Sequence, residues 1–415
     1  MKRVDEVYPF SVYSTIGPTG TIKRLFRNSD YFQSRGYQIN IFANYPTRKR
    51  GLFKKKYDIK RIESLNEERK SSDPTKQNKT NTREVLFSRL ISFLNKHKTT
   101  AALFEYRKKY VIKEYVKDYL KKGTNPDIIV FHDVDSCYAY LNYREGEKAK
   151  VVLFLHNDGG DMEMELRSIP ILSGSRTFKE AYDNYLFTIK ECDRIVFISQ
   201  LAKEKFISNH PEFRDKVRAV VNGIDDIKPL RDTQPPSQYT YRLVCTGSVC
   251  KRKGQYIVLE AMHRMDKRIL DQTSFTIIGT GADHDYLVSK AKEYGLDNHI
   301  TFLGNKPNSE IHRLLSAENI YVLMSNTEGL PISILEAMRA ELPIISTRVA
   351  GIPEEVDERN GFLIEPDVEQ LTNILNSLPK YDWNQLGKNS RDRFEKEFRF
   401  EIMRKKYADL FDDLK

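Results

Sequence analysis

Long hydrophobic runs and a secretion signal are both missing from this 415-residue sequence. No stretch of about 18 apolar residues occurs, so we expect no membrane-spanning helix. Residues 1–6, Met-Lys-Arg-Val-Asp-Glu, lack the apolar segment of a signal peptide. A mean hydropathy of −0.57 and a 30% share of charged residues are typical of a soluble protein.

Cysteine is scarce, with four residues scattered along the chain. Cys245 and Cys250 are neighbours in sequence, but no clustered histidines accompany them, so we expect no zinc site. Free thiols in a reducing cytosol are the simplest account, and they predict a cytoplasmic protein.

Two motifs of well-known chemistry are also absent from the sequence. No Gly-x-x-x-x-Gly-Lys-Ser/Thr loop is present, which argues against an ATPase. No serine nucleophile elbow occurs, which argues against a hydrolase of that type. We also expect no metal ligands and no metal cofactor.

Positive charge is abundant and unevenly placed. Residues 1–125 hold 29 Lys/Arg against 12 Asp/Glu, a balance of +17, whereas the rest of the chain balances at −7. The densest runs are residues 48–50 and 54–56, which flank Leu52 and Phe53. This pattern predicts an anionic partner, and an anionic membrane surface fits basic residues around an aromatic. A solvated basic loop is the alternative, and the basic runs lack the stacked aromatics that RNA binding would need.

Alternation of apolar runs with helical patterns predicts a parallel α/β protein in two halves. The predicted strands of the first half lie at 8–13, 37–43, 127–131, 151–155 and 194–198. Those of the second half lie at 243–246, 275–278, 300–302, 320–324 and 344–346. A proline-containing stretch, 228–239, separates the halves and is typical of a linker. One long charged helix is predicted at about 385–412.

The most informative segment is residues 325–354, where a predicted strand leads into a Gly/Pro loop and a helix. Pro331 suits the first helical position because it has no N–H to leave unpaired there. The N–H groups at this helix start can hold an anion. Glu328 lies in the loop, and Glu336 lies one turn into an apolar helix, where a buried carboxylate needs a partner such as a sugar hydroxyl. An ordinary strand–loop–helix with a solvated Glu336 is the alternative.

This segment resembles the glutamate–seven–glutamate signature of the GT-B glycosyltransferases of family 4, the glycosyl transferases group 1. The resemblance covers most of the chain and is strongest from 193 to 366. It implies an α/β GT-B fold: two Rossmann-like domains facing across a cleft, with a C-terminal helix that crosses back. The implied domains are 1–228 for the acceptor, 240–384 for the nucleotide-sugar, and 385–415 for the returning helix.

The resemblance also implies a role for the two glutamates and the turn between them. Glu328 would contact the donor sugar, the backbone of Gly329, Leu330 and Pro331 would contact the diphosphate, and Glu336 would contact the ribose.

A cationic loop follows the first predicted strand of the second half. Its sequence, residues 246–254, ends in Lys251-Arg252-Lys253-Gly254. Ligands of open α/β sheets bind outside the carboxyl ends of the strands, and cations there suit a diphosphate. The resemblance implies that Lys253 and Arg252 neutralise the departing nucleotide, although the family more often has Arg directly after the Gly, where this chain has Ser248. A charged surface turn is the alternative.

Weaker motifs complete the implied donor site. The Gly-x-Gly turn at 279–281 lacks the third glycine of a dinucleotide fingerprint, so NAD binding is not favoured. The resemblance implies that Lys306 lies near the nucleobase and that Gly20 lies against the diphosphate.

In the first half, a polar segment follows each of two central strands. His132 and His156 end these strands, and a strand-end histidine is more often structural than catalytic. The resemblance implies that His156 is catalytic, near the transferred sugar, together with Glu328 and Lys253. Acceptor contacts are expected from Thr19, Asp158 and Asp161.

The sequence thus predicts a cytoplasmic enzyme that moves a sugar from a nucleotide-diphospho-sugar, with UDP favoured, to a glycan, lipid-linked or protein acceptor. By resemblance the reaction retains the anomeric configuration and needs no metal or other cofactor. Synthesis of a bacterial surface polysaccharide or glycan is the expected role, with the inner membrane face as a second location. A nucleotide-sugar 2-epimerase and a non-catalytic partner of another transferase are the alternatives, and no nucleic acid is expected.

Overall fold

The computed structural model describes residues 1–11, 24–25, 28–44, 97–146, 149–161, 170–229 and 238–414. The basic runs at 48–50 and 54–56, the residues Thr19 and Gly20, and most of the predicted linker lie outside these ranges. The chain forms two compact units. Unit 1 holds Met1–Ile198, Lys203–Val220 and Lys406–Lys415, and unit 2 holds Ser199–Ala202 and Val221–Lys405. The domain bounds expected from the sequence stay a prediction.

Unit 1 is built on a six-stranded parallel sheet in the order β2-β1-β3-β4-β5-β6. Its strands are β1 (Lys2–Ser11), β2 (Tyr37–Asn44), β3 (Ile128–Phe131), β4 (Lys150–Leu155), β5 (Arg194–Phe197) and β6 (Val217–Ala219). Its helices are α1 (Ser29–Ser34), α2 (Lys98–Leu120), α3 (Val134–Tyr143), α4 (Arg176–Glu191) and α5 (Gln200–Asn209). Central strands β3 to β5 are buried almost throughout, which is why they read as continuous apolar runs.

Strand β1 corrects the sequence prediction, which placed it at 8–13. It begins at Lys2 and pairs with β2 from Lys2↔Tyr37 onwards. Asp5 and Glu6 lie inside the strand and are fully buried. Asp5 accepts hydrogen bonds from Tyr119, Asn40 and Arg3. These bonds allow the carboxylate to be buried, and the sequence around residue 5 gives no sign of them.

Unit 2 is built on a second parallel sheet in the order β12-β11-β10-β7-β8-β9. Its strands are β7 (Tyr241–Thr246), β8 (Thr273–Ile278), β9 (Ile300–Gly304), β10 (Ile320–Leu323), β11 (Ile344–Thr347) and β12 (Gly361–Ile364). Its helices are α6 (Gln255–His263), α7 (Lys267–Leu270), α8 (His284–Glu293), α9 (Asn308–Ser316), α10 (Ile332–Arg339), α11 (Ile352–Glu355), α12 (Val368–Asn376) and α13 (Trp383–Arg393). Apolar clusters on both faces of the sheet form the core, as expected for a doubly wound layer.

The predicted single helix at 385–412 is wrong in one respect. Helix α13 passes into a π-helical turn, Phe394–Phe398, and a separate helix, α14 (Phe400–Asp412), follows it. Arg399 between them has extended backbone angles and pairs with Ile224. The paired backbone passes so close to Gly223 that a Cβ there would lie 2.8 Å from the Arg399 carbonyl oxygen. None of the helices in the described ranges is long and apolar enough to cross a bilayer.

Candidate functional site

Two loops meet at the carboxyl edge of the unit 2 sheet. Strands β7 and β10 are parallel neighbours, so the loops that follow them leave the sheet side by side. The loop after β7 forms a short 3-10 turn, Lys251–Lys253, before α6 begins. The loop after β10 carries Glu328 and leads into α10. This edge is where open α/β sheets bind their ligands.

Glu328 joins the two loops through one carboxylate oxygen. Its Oε1 accepts from Lys253 Nζ at 2.7 Å, from Arg252 Nη1 at 2.9 Å and from Ser325 Oγ at 2.7 Å. The residue is only 7% exposed. All three contacts fall on Oε1 within the described part of the chain, so Oε2 is left for another donor. Two cations against one carboxylate give a net positive charge at this point.

Contacts to backbone carbonyls hold the two loops against each other. Asn326 N–H donates to the Arg252 carbonyl at 2.8 Å, and Arg252 Nη1 also reaches the Thr327 carbonyl at 3.1 Å. Gly254 has φ +67°, and a Cβ there would lie 1.8 Å from the Met324 carbonyl oxygen. The cationic turn can therefore approach β10 only because residue 254 is glycine.

The Gly-x-Gly turn after β8 is explained by close packing against the cationic loop. A Cβ on Gly279 would lie 1.9 Å from the Gly247 carbonyl oxygen, and one on Gly281 would lie 2.2 Å from that of Val249. These glycines support the loop that carries the cations. Lys306 follows β9 at the same edge of the sheet, half-buried and two strands from β7. No recorded contact in the described ranges joins Lys306 to Glu328.

The start of α10 departs slightly from the prediction. Pro331 precedes the helix with φ −73° and ψ 111°, so it caps the helix and is not its first helical residue. The Gly329 carbonyl oxygen accepts from Gly351 N–H at 2.9 Å, which packs the loop after β11 onto this turn. Leu330 is buried, and Glu336 is half-buried on the helix. The turn Gly329–Pro331 thus connects Glu328 to the start of α10, and its contact with a diphosphate stays a prediction.

Glu355, at the end of α11, is a site residue that the sequence did not reveal. It is fully buried, and neither carboxyl oxygen has a hydrogen-bond partner in the described part of the chain. Burial, followed by the negative charges of Glu328 and Glu354, raises its pKa well above the ordinary value. A neutral Glu355 does not reduce the net positive charge that Lys253 and Arg252 leave around Glu328.

We expect Glu355→Gln to stabilise the protein increasingly as pH rises. Because the folded-state pKa is raised, Glu355 keeps its proton in the folded state but loses it above about pH 4.5 when unfolded. Its stabilising contribution is therefore complete below that pH and falls above it, by at most about 1.4 kcal/mol per pH unit. Urea unfolding of both proteins at pH 5 and pH 8 measures this. A stability difference that stays constant with pH would contradict a neutral Glu355.

A second polar cluster lies at the carboxyl edge of the unit 1 sheet. His132 Nε2 lies 2.8 Å from Glu6 Oε2, and His132 Nδ1 lies 3.0 Å from His156 Nε2. Tyr407 OH donates to the other oxygen of Glu6 at 2.8 Å. Burial, and then the nearby His132, lower the pKa of His156 to about 3, so His156 is neutral at pH 7.

The two acceptor-site carboxylates predicted from the sequence are already paired. Asp158 lies 3.1 Å from Lys205 Nζ, and Asp161 lies 2.6 Å from His210 Nε2. Tyr185 OH donates to Asp161 at 3.4 Å. Lys205 of α5 and the following His210 therefore hold these two carboxylates in place. Across the described ranges no three His, Cys, Asp or Glu side chains group as a metal site, and the four thiols are unpaired.

The fold is that of a GT-B protein. Sucrose-phosphate synthase from Thermosynechococcus elongatus superposes with a TM-score of 0.71 over 100% of this chain and 99% of its own, at 18% identity. Anabaena Alr3699/HepE in complex with UDP-glucose superposes with a TM-score of 0.63 over the whole of both chains, at 14% identity.

Two family models together match residues 23–398. Glycosyltransferase Family 4 matches residues 23–227, and Glycosyl transferases group 1 matches residues 228–398. The chain therefore belongs to this family of glycosyltransferases.

Curated relatives of the chain are distant. The putative colanic acid biosynthesis glycosyltransferase WcaL of Escherichia coli (strain K12) is 24% identical over 48% of this chain and 52% of its own. The amylovoran biosynthesis glycosyltransferase AmsK of Erwinia amylovora is 25% identical over 64% of this chain and 70% of its own. A GDP-mannose-dependent alpha-(1-6)-phosphatidylinositol monomannoside mannosyltransferase of Mycolicibacterium smegmatis is 25% identical over 45% of this chain and 53% of its own. The chain spans about half the length of most of these relatives.

Proposed function

We propose that the protein transfers a sugar, with retention of configuration, from a nucleotide-diphospho-sugar to a hydroxyl of a glycan, lipid-linked or protein acceptor. The observation that carries this proposal is the contact of Glu328 with both Lys253 and Arg252 at the carboxyl edge of a parallel sheet. Such an edge with excess positive charge suits a diphosphate, while the free oxygen of Glu328 suits a sugar hydroxyl.

The chemistry follows from how charge moves in the reaction. As the bond from the sugar to the diphosphate breaks, negative charge grows on the departing phosphate. Lys253 and Arg252 stabilise that charge, and the N-terminus of α10 adds its dipole. The acceptor hydroxyl enters on the face that the diphosphate leaves, and the departing phosphate oxygen takes its proton. No strong protein base is then required, which agrees with a neutral His156.

The donor and the pathway are proposed from the relatives and neighbours. HepE was solved with UDP-glucose, so UDP is our preferred nucleotide, and GDP is the first alternative because the mannosyltransferase relative is GDP-mannose-dependent. WcaL and AmsK are named for polysaccharide biosynthesis, which favours that role here. A thermal-shift screen of UDP, GDP and ADP with their sugars tests the proposal, because a ligand that binds the folded state raises its stability. A donor set that produces no shift would contradict it.

Product analysis separates the two alternatives carried from the sequence. A nucleotide-sugar 2-epimerase would convert the donor without an acceptor, whereas a transferase releases nucleotide in proportion to the glycoside formed. A non-catalytic partner would bind nucleotide or another transferase and release nothing.

The two glutamates of the signature should separate binding from transfer. We expect Glu336→Ala to weaken nucleotide binding, and Glu328→Gln to slow transfer while nucleotide binding is largely kept. Losing a hydrogen bond to a charged group costs about 1.5–3 kcal/mol, or about 10- to 150-fold. Calorimetric titration with UDP and initial rates of transfer measure the two effects. Glu341→Ala, a half-buried glutamate just past the end of the same helix, is the matched control. Two signature variants with wild-type binding and rates would refute these assignments.

Helix α2 offers a surface for an anionic membrane. Leu103, Tyr106 and Tyr110 lie on one face at spacings of three and four residues and are 66%, 70% and 54% exposed. The helix and the two residues after it carry eight Lys or Arg against three Asp or Glu. Exposed tyrosines beside cations are typical of helices that lie in a membrane interface. We therefore propose peripheral binding that brings a lipid-linked acceptor to the enzyme.

We expect the protein to sediment with vesicles containing anionic lipid and not with neutral vesicles. Reversing two cations, Arg107→Glu with Lys109→Glu, should weaken this partition at least tenfold, since each cation near the surface contributes about 1 kcal/mol. Lys267→Glu with Arg268→Glu, an equal charge change on exposed residues of unit 2, is the control and should bind as the wild type does. Binding should also fade with rising salt. Equal sedimentation of both double variants would remove α2 from the proposed surface.

A further inference from the structure

Three aromatic rings form a strip along helix α4 of unit 1. Phe178, Tyr182 and Tyr185 follow one another at spacings of four and three residues, which places them on one face of the helix. Successive ring centroids lie 6.4 Å and 6.3 Å apart, and the ring planes are nearly parallel, at 22° and 29°. Tyr185 is buried, whereas Phe178 and Tyr182 are partly exposed. The strip therefore emerges from the core towards the start of the helix.

The buried end of the strip meets a carboxylate in the loop after β4. Tyr185 OH donates to Asp161 Oδ1 at 3.4 Å, and His210 Nε2 lies 2.6 Å from the same oxygen. Asp161 Oδ2 has no hydrogen-bond partner in the described ranges, and the Asp161 side chain is 27% exposed. An open acceptor oxygen therefore lies beside the aromatic strip, after a strand whose carboxyl end belongs to the edge where ligands of such sheets bind.

This pairing of groups selects the chemistry of a ligand. A carboxylate oxygen only accepts hydrogen bonds, so a ligand at Asp161 must present a donor such as a hydroxyl. The face of an aromatic ring carries partial negative charge and attracts polarised C–H groups. Lys205, the cation that contacts this loop, already pairs with Asp158 at 3.1 Å, which favours an uncharged ligand over a phosphate group. Hydroxyls together with C–H faces and no charge are the properties of a neutral sugar.

We propose that this α4 strip binds the sugar chain of the acceptor. Asp161 Oδ2 accepts a hydrogen bond from one hydroxyl of the chain, and the rings of Tyr182 and Phe178 pack on C–H faces of the sugars. That the bound chain is the acceptor rests on the proposed function, whereas binding of a sugar chain to unit 1 does not. The inference narrows the acceptor class to molecules that already carry a glycan, so a bare lipid or an unmodified protein is a poor acceptor.

Binding can be measured on the full-length protein without any transfer. The probes are uncharged linear oligosaccharides of glucose, mannose, galactose or N-acetylglucosamine. Saturation-transfer NMR with irradiation of the aromatic protons should show magnetisation passing to C–H groups of at least one oligosaccharide, and calorimetry gives its Kd. Phe178→Leu with Tyr182→Leu keeps apolar side chains but removes both ring faces, so the Kd should rise about tenfold. A wild-type protein that binds none of these oligosaccharides would overturn the proposal.

Phe187→Leu is the matched control on the same helix. Phe187 is 38% exposed, and its ring contacts Tyr138 of α3 edge-on at 5.6 Å instead of joining the strip. This variant should bind the oligosaccharide as the wild type does. An equal rise of the Kd in the control and in the double variant would show that the strip has no special part in binding.

Kinetics with an acceptor distinguish binding by the rings from a general loss of structure. Tyr182→Leu should raise the acceptor KM about three- to tenfold and leave kcat and the donor KM unchanged, because the lost contact is made before and during transfer alike. Tyr182→Phe keeps the ring face and should retain the wild-type acceptor KM. Equal effects of the two substitutions would contradict contact through the ring. If the double variant fails to fold, these single variants and the wild-type spectra still decide the matter.

The outcomes also separate this inference from the proposed function. A wild-type protein that binds an oligosaccharide through the strip but transfers no sugar contradicts the proposed function alone. A protein that transfers sugar with the same acceptor KM in the wild type and in Phe178→Leu with Tyr182→Leu contradicts the strip alone.

Discussion

Replacing Lys253 with methionine is expected to lower kcat for sugar transfer by about 10²–10³-fold, the usual effect of removing one preorganised group that stabilises developing charge. Methionine has a similar length and no charge, so the change isolates the ammonium group. Lys253 is the stronger candidate of the two cations because its side chain is only 11% exposed, whereas that of Arg252 is 44% exposed and screened by water. Release of nucleotide in the presence of acceptor measures kcat.

Arg252→Met is the matched control for this experiment, and we expect a loss of about tenfold or less. Glu328 retains Ser325 and one cation in either variant, so the loop should keep its position. Running the assay with excess EDTA ensures that no divalent ion takes over the role of Lys253. A Lys253→Met enzyme with wild-type kcat under these conditions would show that the ammonium group does not stabilise the leaving diphosphate.

A large loss of stability is expected for Gly254→Ala. Residue 254 has φ +67°, a conformation that costs an L-residue roughly 1–2 kcal/mol. The new Cβ would also lie 1.8 Å from the Met324 carbonyl oxygen, a backbone atom that cannot move without displacing β10. Together with a typical overpacking cost of about 1–3 kcal/mol, the free energy of unfolding should fall by about 2–5 kcal/mol. Urea denaturation measures the change.

Gly295→Ala separates the two causes of that loss. Its φ of +69° matches that of Gly254, but nothing lies within 4 Å of its Cβ position. This variant should therefore lose only the backbone contribution, about 1–2 kcal/mol. If both variants lost the same free energy of unfolding, the close approach of the cationic turn to β10 would make no contribution to the loss in Gly254→Ala.

Strands with continuous apolar runs could be located from the sequence to within about two residues. Strand β7 was expected at 243–246 and spans Tyr241–Thr246, and β4 was expected at 151–155 and spans Lys150–Leu155. Both are central strands, where burial on both faces demands apolar residues. The edge strands β6 and β12 were not predicted; each buries only its first residue, so burial constrains its sequence less than that of a central strand.

Errors arose where distant residues decide the local structure. From the local sequence, the charge of Glu6 argues against a buried strand. Its partners in the structure, His132 and Tyr407, are more than 120 and 400 positions away in sequence. The break at Arg399 depends on its pairing with Ile224. For the candidate site, motif spacing selected Glu328 and the two cations as candidates. It could not show that the cations share one oxygen of Glu328, nor that Glu355 is buried without a hydrogen-bond partner in the described part of the chain, since both depend on how loops pack.

Residues 406–414 set the order in which the protein can complete its folding during synthesis. Tyr407 donates a hydrogen bond to Glu6, and Phe411 packs on Phe32 and Tyr37. Asp413 forms ion pairs with Arg194 and Arg218. A ribosome has made all of unit 2 before it makes these residues. Until residues 406–414 are translated, the amino-terminal unit therefore keeps an uncovered aromatic surface, and Glu6 lacks the hydrogen bond from Tyr407. Nascent chains arrested at residue 405 should accordingly depend on chaperones.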